Sequence, residues 1–335
     1  MSRSFARGLV VGKFCPLHRG HELTIRTMLD ACREGFVLSY TNPEFAGCEP
    51  ERRRRWLAEL FPSATCLVLA AHEAPPNDAD DFTHRRFVAQ ICRERWHTTV
   101  DAVFTSESYG DGFARELSRQ FAHPVSHVCV DAARRSHPVS GTELRADVHA
   151  RREQLSPVVY ADFVQRVALL GGESSGKSTL AAALAEHFGT RHVAEYGRDL
   201  WDERAGRLEY ADMLHIARTQ VAREDAAARS SNRYLFCDTS PLTTLFYSRH
   251  LFGRAEPELE ALAEREYALH VLCAPDFPFV QDGTRQDAAF RSRQHAWYRA
   301  ELERRSWPWI EVTGAVGTRA HQVEARLRGR GGVGE

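Results

Sequence analysis

The chain has 335 residues, and its 44 basic and 45 acidic side chains give a formal net charge of −1. Because proteins that bind nucleic acid usually carry a basic excess or a basic stripe, we predict that this chain does not bind DNA. No stretch approaches the roughly 20 apolar residues of a membrane span, so we expect no membrane partner. The eight cysteines form no CxxC pair, which favours a reducing, cytoplasmic location over a disulfide framework or a zinc site.

Apolar runs with strand character alternate with amphipathic helical runs in the first half of the chain. The predicted strands are 9–11, 36–40, 66–70, 100–105 and 127–130. The predicted helices are 20–33, 49–60, 82–96, 113–121 and 140–150. This alternation is typical of a parallel sheet that helices cover on both faces. The basic run 52–55 lies in the second of these helices, and we interpret it as a solvated helix face rather than an anion contact.

The same alternation restarts at Arg166. Further strands are predicted at 167–170, 192–194, 234–237, 270–273 and 309–312, and further helices at 177–188 and 210–228. A break between Leu155 and Gln165 predicts two domains, 1–158 and 164–328, and the glycine-rich tail from Gly329 is expected to be disordered. The predicted fold class is α/β, with two doubly wound parallel-sheet domains.

The second domain opens with a phosphate-binding loop. After the apolar run 167–170, residues 171–178 match the pattern GxxxxGK[ST], and a helical run follows. In such loops, backbone N–H groups and the helix start surround the phosphates, the lysine reaches the β- and γ-phosphates, and the hydroxyl binds Mg²⁺. The residues predicted to bind ATP are Gly171, Gly172, Glu173, Ser174, Ser175, Gly176, Lys177, Ser178 and Thr179.

Two acidic residues at the ends of predicted strands complete a kinase site. Asp238 follows the apolar run 235–237 and is expected to hold Mg²⁺ together with Ser178, although it also fits an ordinary turn before a helix. Glu195 follows the strand 192–194, where it can deprotonate a hydroxyl that attacks the γ-phosphate; the alternative is a surface role. The candidates to bind that substrate are Tyr196, Arg198 and Asp199.

Glycine and arginine are dense after the strand 270–273. The segment 281–285 ends in Arg285, and Arg291 and Arg293 follow. This pattern favours a mobile lid whose Arg285 and Arg291 bring positive charge to the ATP phosphates, the alternative being a solvated loop.

The first domain contains a different phosphate-binding loop, residues 12–21, at a predicted strand–helix junction. His18 and His21 can donate hydrogen bonds to the α- and β-phosphate oxygens, where charge develops during transfer. A metal site is the alternative, but the sequence shows no third ligand nearby. The other loop residues predicted to contact the nucleotide are Gly12, Lys13, Phe14 and Gly20.

A second element, residues 139–145, supports this site from far along the chain. Ser140 and Thr142 provide hydroxyl and backbone donors at a predicted helix start, and Arg145 provides a guanidinium one turn later. Alone, this element is only a capping box formed by Ser140 and Glu143. Together with the histidine loop, it predicts a transferase site that positions its substrates and stabilises charge.

These two elements resemble the (H/T)xGH loop and the ISxTxxR-like element of the nucleotidylyltransferase superfamily. With the P-loop behind them, the chain resembles the NadR-type family of bifunctional enzymes over roughly residues 8–312. The stretches that carry this resemblance are 12–21, 104–107, 139–141, 171–179, 195–199 and 238–239.

The resemblance implies a Rossmann-like nucleotidylyltransferase domain followed by a P-loop kinase domain. It implies that the kinase converts nicotinamide riboside and ATP to nicotinamide mononucleotide (NMN). It implies that the transferase then joins NMN and ATP to give NAD and pyrophosphate, with Mg²⁺ as a cofactor. Triphosphate contacts are implied for His18, His21, Ser140 and Arg145, and kinase chemistry for Lys177, Ser178, Glu195 and Asp238.

The sequence departs from this family in two places. Some members carry an N-terminal helix-turn-helix domain, for which we expect no room before Leu9. Where members usually have a Trp-rich segment, residues 75–82 offer Phe82 as the predicted contact to the substrate base. Two alternatives stay open: the same two-step build acting on another nucleoside and mononucleotide, or a nucleotide-sensing regulatory protein with one catalytic domain. A homo-oligomer is also open.

Overall fold

The computed structural model describes residues 4–107, 109–131, 133, 135–278 and 287–330. It divides into two compact units, with the division between Phe163 and Val164. This division lies inside the interval 155–165 in which the sequence predicts the domain boundary.

The first unit is built on a five-stranded sheet with the order β3-β2-β1-β4-β5, in which all neighbouring strands are parallel. The crevice beyond the carboxyl end of β1 lies at the switch point of this order, where open α/β sheets bind their ligands. Gly12, the first residue of the histidine loop, is the last residue of β1. The strands are β1 (Phe5–Gly12), β2 (Cys32–Ser39), β3 (Thr65–Val68), β4 (Ala102–Thr105) and β5 (Ser126–Cys129).

One helix of the first unit is shorter than predicted. The pattern predicts a helix over 140–150, but α5 ends at Ala146. It ends there because the Asp147 carboxylate accepts the backbone N–H groups of His149 (3.0 Å) and Ala150 (2.9 Å), which replaces the helical bonding pattern. The helices of this unit are α1 (Arg19–Ala31), α2 (Pro50–Leu60), α3 (Asp81–Glu94), α4 (Gly110–Phe121), α5 (Gly141–Ala146) and α6 (Pro157–Tyr160).

The second unit contains a parallel sheet with the order β10-β9-β6-β8-β7, so its central strand is the one that leads into the P-loop. Its strands are β6 (Gln165–Leu170), β7 (Arg191–Val193), β8 (Tyr234–Asp238), β9 (Leu269–Cys273) and β10 (Trp309–Val312). Its helices are α7 (Lys177–His187), α8 (Tyr196–Glu203), α9 (Tyr210–Ala228), α10 (Pro241–Phe252), α11 (Pro257–Leu262), α12 (Ala288–Arg304) and α13 (Val316–Arg330). Within the described ranges, no helix combines the length and apolar character that crossing a membrane requires.

Five helices of the second unit, α8, α10, α11, α12 and α13, have no predicted range, although a turn before a helix was an alternative for Asp238. In α12 the reason is visible, because Arg291 and Gln294 lie in the same buried stripe as Phe290, Tyr298 and Leu302. Polar residues inside a buried stripe interrupt the apolar periodicity on which the prediction depends.

Apolar packing covers both faces of the second sheet. In β6, Val167 and Leu169 belong to a core cluster with residues of α7 and α13, whereas Leu170 belongs to a cluster with residues of α9, α10 and α12. Strands that are buried on both faces are characteristic of parallel sheets. The predicted fold class, two doubly wound α/β domains, is confirmed.

The interpretation of residues 52–55 as a solvated face is wrong at Arg53, which is 0% exposed. Its Nε donates to the Cys48 carbonyl (2.9 Å), and its two terminal nitrogens donate to Ser39 Oγ (2.8 Å), the Glu44 carboxylate (2.8 Å) and the Leu69 carbonyl (3.3 Å). A buried guanidinium requires such partners for its N–H groups, so Arg53 fixes the loops that follow β2 and β3.

A buried histidine makes the stability of the second unit depend on pH. His270 in β9 is 1% exposed, its ring stacks on Trp307 at 4.7 Å, and neither ring nitrogen has a hydrogen-bond partner among the described residues. Burial lowers the pKa of His270 to about 4, whereas the unfolded value is about 6.5. Between these values the unfolded chain binds more protons, so the free energy of unfolding falls as the pH drops through this window.

We predict that His270→Phe, which keeps an aromatic ring against Trp307, removes up to about 3 kcal/mol of this acid-side loss. Urea unfolding at pH values near 7.5 and near 4.5 measures the difference. His321→Gln, at an exposed position of α13, is the control and should lose as much stability as the wild type. Equal acid-side losses in the wild type and His270→Phe would contradict the prediction.

Candidate functional sites

The histidine loop borders a cavity of about 250 Å³ at the carboxyl edge of the first sheet. The cavity brings this loop together with residues 139–142, as the sequence predicts for a composite phosphate site, and the loops after β4 and β5 contribute as well. Its lining residues are His18, Gly20, His21, Leu23, Ser106, Glu107, Val130, Asp131, His137, Val139, Ser140, Gly141 and Thr142.

The two imidazoles of this cavity hold each other in place. His18 Nδ1 accepts the backbone N–H of His21 (3.4 Å), and His21 Nδ1 accepts the backbone N–H of His18 (3.3 Å), which caps the start of α1. The rings are stacked, with centroids 3.5 Å apart. Because each Nδ1 is an acceptor, a neutral ring carries its proton on Nε2, so both histidines are set to donate to an anion through Nε2.

The start of α5 is tied to the histidine loop by Arg145. Its guanidinium donates to the Cys15 carbonyl (2.6 Å) and to the Thr142 hydroxyl (3.1 Å), and it lies 4.2 Å from the ring centroid of Phe45. A Cβ at Gly141 would lie 3.2 Å from the Cys15 carbonyl oxygen, so glycine permits the close approach. Ser140 caps the helix by accepting the Glu143 N–H (3.2 Å).

Four predicted contacts of the first site surround the cavity instead of belonging to its described lining. Phe14 is buried and packs edge-on against His21, with ring centroids 5.0 Å apart. Gly12 lies against Phe14, because an added Cβ would be 2.6 Å from that ring. Lys13 is exposed on the same loop, and Arg145 reaches the loop carbonyl instead of the cavity.

The sequence analysis missed a third imidazole, that of His137, in the cavity lining. The loop before it is held by Asp131, whose carboxylate accepts the backbone N–H groups of Arg135 and Ser136, both at 2.9 Å. The sequence did contain a signal for it, because His137 lies three residues before Ser140, close to the element 139–145 that was predicted to contact the nucleotide.

The P-loop turns from β6 into α7 through left-handed backbone conformations, with φ of +144° at Gly171, +55° at Ser174 and +79° at Gly176. A Cβ at Gly171 would lie 2.7 Å from the Cys273 carbonyl oxygen, so only glycine fits there without a shift. Lys177 Nζ donates to the Gly172 carbonyl (3.1 Å), which keeps its ammonium at the loop.

A second buried arginine, Arg319 on α13, holds the P-loop by a hydrogen bond to its main chain. It is 1% exposed and donates to the carbonyls of Ser175 (2.8 Å), Ala274 (2.9 Å) and Gly314 (2.8 Å), and it also pairs with Asp276. The loops after β6, β9 and β10 are thereby bonded to one side chain.

Asp238 is the last residue of β8 and pairs with Leu169 of β6 beside the P-loop. Its side chain is 3% exposed, and its Oδ1 has no hydrogen-bond partner among the described residues. Thr239, the next residue, has φ +74°, an unusual value for a β-branched residue that turns the chain sharply after Asp238. Unpartnered buried carboxylate oxygen is expensive, so this atom is suited to a cation.

Glu195 and Lys177 line one cavity of about 180 Å³ beside the P-loop, here called the acceptor cavity. Burial raises the pKa of Glu195, the nearby Asp238 adds to this, and Lys177 opposes it. A carboxylate with a raised pKa in a cleft is suited to proton transfer. The other lining residues are Glu173, Gly197, Arg198, Trp201, Leu208, Met213, Ile216, Thr243, Thr244, Tyr247, Leu251 and Gln294.

Of the three predicted substrate contacts after Glu195, the described lining includes Arg198 alone. Tyr196 and Asp199 lie on another side of α8, where Arg223 pairs with Asp199 (2.6 Å) and lies 4.4 Å from the Tyr196 ring centroid. Trp201, which the sequence analysis missed, takes a place in the cavity because it follows Gly197 by one helical turn.

A second cavity of about 460 Å³ adjoins the other side of the P-loop. Ser174, Gly176 and Thr179 line it together with Leu180, Phe277, Pro278, Val316 and Arg319. Arg291 packs against the P-loop at Gly172, and it donates to the Phe277 carbonyl (3.0 Å). Arg285 lies outside the described residues.

Phe82, the predicted base contact of the first domain, is 53% exposed on α3, and its ring lies 5.4 Å from the Arg86 guanidinium. It lies outside the described lining of the histidine-loop cavity.

Ser178 and Thr179, the last two predicted ATP contacts of the P-loop, are exposed at the start of α7. Within the described ranges, no group of three or more His, Cys, Asp or Glu side chains could hold a metal ion by itself.

Comparisons with known proteins identify one matching family and several similar proteins. A family described as an AAA domain matches residues 166–319. The trifunctional NAD biosynthesis/regulator protein NadR of Escherichia coli (strain K12) is 30% identical over 303 residues, which cover 83% of this chain and 71% of that protein. The protein of the same name from Salmonella typhimurium (strain LT2) is also 30% identical, with the same coverage.

Two crystal structures of NadR proteins share the fold. One, in complex with NR, has a TM-score of 0.75 at 20% identity and covers 98% of this chain and 97% of its own. The other, in complex with NAD and AMP-PNP, has a TM-score of 0.73 at 18% identity and covers 99% and 98%.

The contact between Gly172 and α12 leads to a prediction about stability. A Cβ at Gly172 would lie 2.7 Å from the main-chain oxygen of Arg291, so Gly172→Ala should push α12 away and lower the free energy of unfolding by about 1–3 kcal/mol. Gly317→Ala is the matched control, because Gly317 lies in α13 with open space around its Cβ position. It should raise stability by about 0.5 kcal/mol, since alanine favours helices. Denaturant titration measures both changes, and a destabilisation shared equally by both variants would contradict the assignment to the α12 contact.

Proposed function

The chain belongs to the NadR family, and from that membership we propose that it catalyses two steps of NAD salvage. In the first step, nicotinamide riboside and ATP give NMN and ADP. In the second step, NMN and ATP give NAD and pyrophosphate. The observation that carries the proposal is the pairing, within one chain, of a cavity with two stacked imidazoles and a cavity that joins the P-loop lysine to a carboxylate.

We assign the second step to the domain 1–158 and the first step to the domain 164–328. Support comes from the P-loop at the end of β6 and from the AAA-domain match to residues 166–319. The names of the relatives refer to NAD biosynthesis, and one related crystal structure holds NR while another holds NAD and AMP-PNP.

In the kinase step, the primary hydroxyl of the riboside attacks the γ-phosphorus of ATP, and the bond to the bridging oxygen of ADP breaks. Glu195 accepts the proton of that hydroxyl, and its raised pKa brings it closer to the strength of a general base at neutral pH. Lys177 and the backbone N–H groups of the P-loop stabilise the charge of the transferred phosphoryl group.

Mg²⁺ fits the oxygen atoms present at this site. Asp238 offers a buried carboxylate oxygen without a described partner, and Ser178 offers a hydroxyl at the start of α7. Mg²⁺ prefers one or two protein oxygens together with the phosphates of a substrate, and when bound it neutralises charge on the β- and γ-phosphates. The cavity beside Phe277 and Val316 is the place we assign to the adenine of ATP.

In the transferase step, a phosphate oxygen of NMN attacks the α-phosphorus of ATP, and pyrophosphate leaves. His18 and His21 donate through Nε2 to the phosphate oxygens on which charge builds up, and the start of α5 at Ser140 adds donors. No protein base is needed, because the attacking phosphate is already ionised near neutral pH.

The exposed Phe82 favours one alternative for the first domain, namely a mononucleotide with a different base, because this ring stands outside the cavity lining. The predicted cytoplasmic location and the absence of DNA binding stay predictions. The eight cysteines, which form no disulfide, support the first of these.

The two-site proposal predicts that the activities separate. His21→Ala should lower pyrophosphate release from NMN and ATP by at least about 10²-fold and leave ADP formation from nicotinamide riboside unchanged. Lys177→Ala should have the opposite effect, because it removes the charge that stabilises the γ-phosphoryl group. Mass detection of NMN and NAD, with ADP and pyrophosphate followed separately, measures both.

Wild-type protein that forms no NMN from nicotinamide riboside would overturn the kinase assignment, and a screen of other nucleosides and mononucleotides would test the alternative.

Because Lys13 and Lys177 are the only lysines in the chain, labelling with an amine-reactive reagent reports on each loop separately. AMP-PNP should protect both lysines in the wild type, and peptide mass spectrometry identifies the protected site.

The raised pKa of Glu195 leads to a prediction about pH. As the pH rises, Glu195 loses its proton and becomes the active base, so the acid limb of the kinase kcat/KM profile should lie above the pKa of an ordinary glutamate, about 4.3. Glu195→Gln should remove this limb and lower kcat by about 10²–10⁴-fold. Glu203→Gln, at the exposed end of α8, the helix that begins just after Glu195, is the control and should leave the profile unchanged. A profile that keeps its acid limb in Glu195→Gln would assign the limb to another group.

A further inference from the structure

One residue of the P-loop faces the acceptor. The motif predicts that Glu173 contacts ATP, but Glu173 lines the acceptor cavity together with Lys177 and Glu195. The Tyr247 hydroxyl, from α10, donates to Glu173 Oε1 at 3.0 Å. Burial, with help from the Glu173 carboxylate, raises the pKa of Tyr247 well above its usual value, so the phenol stays a donor.

A ring of hydrogen bonds begins and ends at Glu173. Its backbone N–H donates to Gln294 Oε1 (3.1 Å), Gln294 Nε2 donates to the Tyr298 hydroxyl (3.5 Å), and Tyr298 donates to Thr243 Oγ1 (2.9 Å). Thr243 lies one turn before Tyr247 on α10, so the bond from Tyr247 to the Glu173 carboxylate closes the ring.

The ring members behind Glu173 are well shielded, since Gln294 is 2% exposed, Tyr298 is 0% exposed and Thr243 is 5% exposed. Hydrogen bonds in such surroundings are costly to break, because each lost partner leaves a buried polar group unsatisfied. The backbone of Glu173 is therefore held from α12 and its carboxylate from α10, which fixes the direction of the carboxylate toward the cavity.

The lining of the acceptor cavity has a charged part and an apolar part. Glu173, Lys177 and Glu195 form the charged part, here called the P-loop end, and Trp201, Leu208, Met213, Ile216 and Leu251 form the apolar part, here called the apolar end. The other lining residues are mostly polar, namely Gly197, Arg198, Thr243, Thr244, Tyr247 and Gln294. The attacking hydroxyl of the acceptor must lie at the P-loop end, because the γ-phosphate is there. The sugar that carries this hydroxyl is then next to Glu173, and the base extends toward the apolar end.

We propose that Glu173 binds the acceptor and not ATP, and that its carboxylate accepts hydrogen bonds from the secondary hydroxyls of the ribose. Tyr247 and Gln294 are positioning residues that aim this carboxylate. An ionised carboxylate can only accept hydrogen bonds, so a nucleoside that lacks the hydroxyl forms one hydrogen bond fewer with Glu173 and binds less tightly than the riboside. The site is thereby specific for ribonucleosides, a conclusion that rests on the proposed kinase function.

Kinase kinetics with nicotinamide riboside and its 2′-deoxy and 3′-deoxy analogues test this assignment in the wild type and in Glu173→Gln. The wild type should prefer the riboside over at least one analogue by about tenfold or more in kcat/KM. Glu173→Gln keeps the shape of the side chain and an acceptor for Tyr247. It should raise the KM of the riboside by about tenfold, remove most of the preference and leave the KM of ATP within about twofold.

Tyr247→Phe should change the riboside KM and the preference in the same direction but less, because it frees the carboxylate without removing it. Leu251→Ala, at the apolar end of the same cavity, is the matched control and should keep the preference for the ribose hydroxyls. Protection of Lys177 by AMP-PNP against an amine-reactive reagent, in the absence of any nucleoside, verifies that each variant is folded and keeps the nucleotide site of the P-loop.

Two results would overturn the inference. A KM for ATP that rises as much as that of the riboside in Glu173→Gln would return Glu173 to the nucleotide site. A preference for the riboside that survives in Glu173→Gln would place hydroxyl recognition elsewhere. Failure of the proposed function has a different signature, because the wild type itself would then form no ADP with nicotinamide riboside.

Discussion

Both units depend on a buried guanidinium that holds the carboxyl ends of the strands together. Arg53 bonds the loops after β2 and β3, and through Ser39, whose hydroxyl donates to the Lys13 carbonyl (3.1 Å), it reaches the histidine loop. Arg319 bonds the P-loop directly at the Ser175 carbonyl. Removing such a charge from water costs several kcal/mol, so it is tolerated only where carbonyl and carboxylate oxygens surround it. The carbonyl oxygens belong to loops that would otherwise leave buried backbone groups unsatisfied, and the planar fork of arginine fixes their spacing.

The two loops present their donors in different ways, and this difference follows from their local backbone. The histidine loop uses side chains, because the reciprocal caps between His18 and His21 commit each Nδ1 to the backbone, so a neutral ring carries its proton on Nε2. The P-loop uses its backbone, because left-handed conformations at Gly171 and Gly176 are typical of loops whose N–H groups surround a phosphate. Substitution of a side chain should therefore affect the first site most, whereas an added Cβ should affect the second. Arg53 and Arg319 support both loops in the same way, since each fixes main-chain carbonyls and takes no part in the proposed reactions.

The sequence was sufficient for features that a local pattern determines. It was insufficient where the direction of a side chain depends on an unpredicted helix or on residues from other segments. The strands, the P-loop and the histidine loop could be predicted because periodicity, glycine and capping residues act within a few positions. The different positions of Arg198, Tyr196 and Asp199 could not be predicted, because α8 was not predicted. Only the turn of a helix places Arg198 on a different side from Tyr196 and Asp199. Arg53 was placed in solvent because a run of arginines has no apolar pattern, although the acceptors that bury it come from three other segments. Glu173 was assigned to ATP for the same reason: its neighbours Tyr247 and Gln294 are remote in sequence.

The two lysines of this chain differ from its arginines in the role that we propose for them. Of the 44 lysines and arginines, only Lys13 and Lys177 are lysines, and each lies in one of the two loops that are predicted to bind phosphate. Arginine suits the other positions, because its fork satisfies several acceptors at once, as Arg53, Arg145 and Arg319 do. Lysine offers instead a compact charge on a flexible stem, which suits a phosphate that changes position during transfer. Lysine occurs at these two positions in a chain that otherwise uses arginine throughout. This supports a role for Lys13 in phosphate chemistry, even though its side chain is exposed and is not part of the described cavity lining.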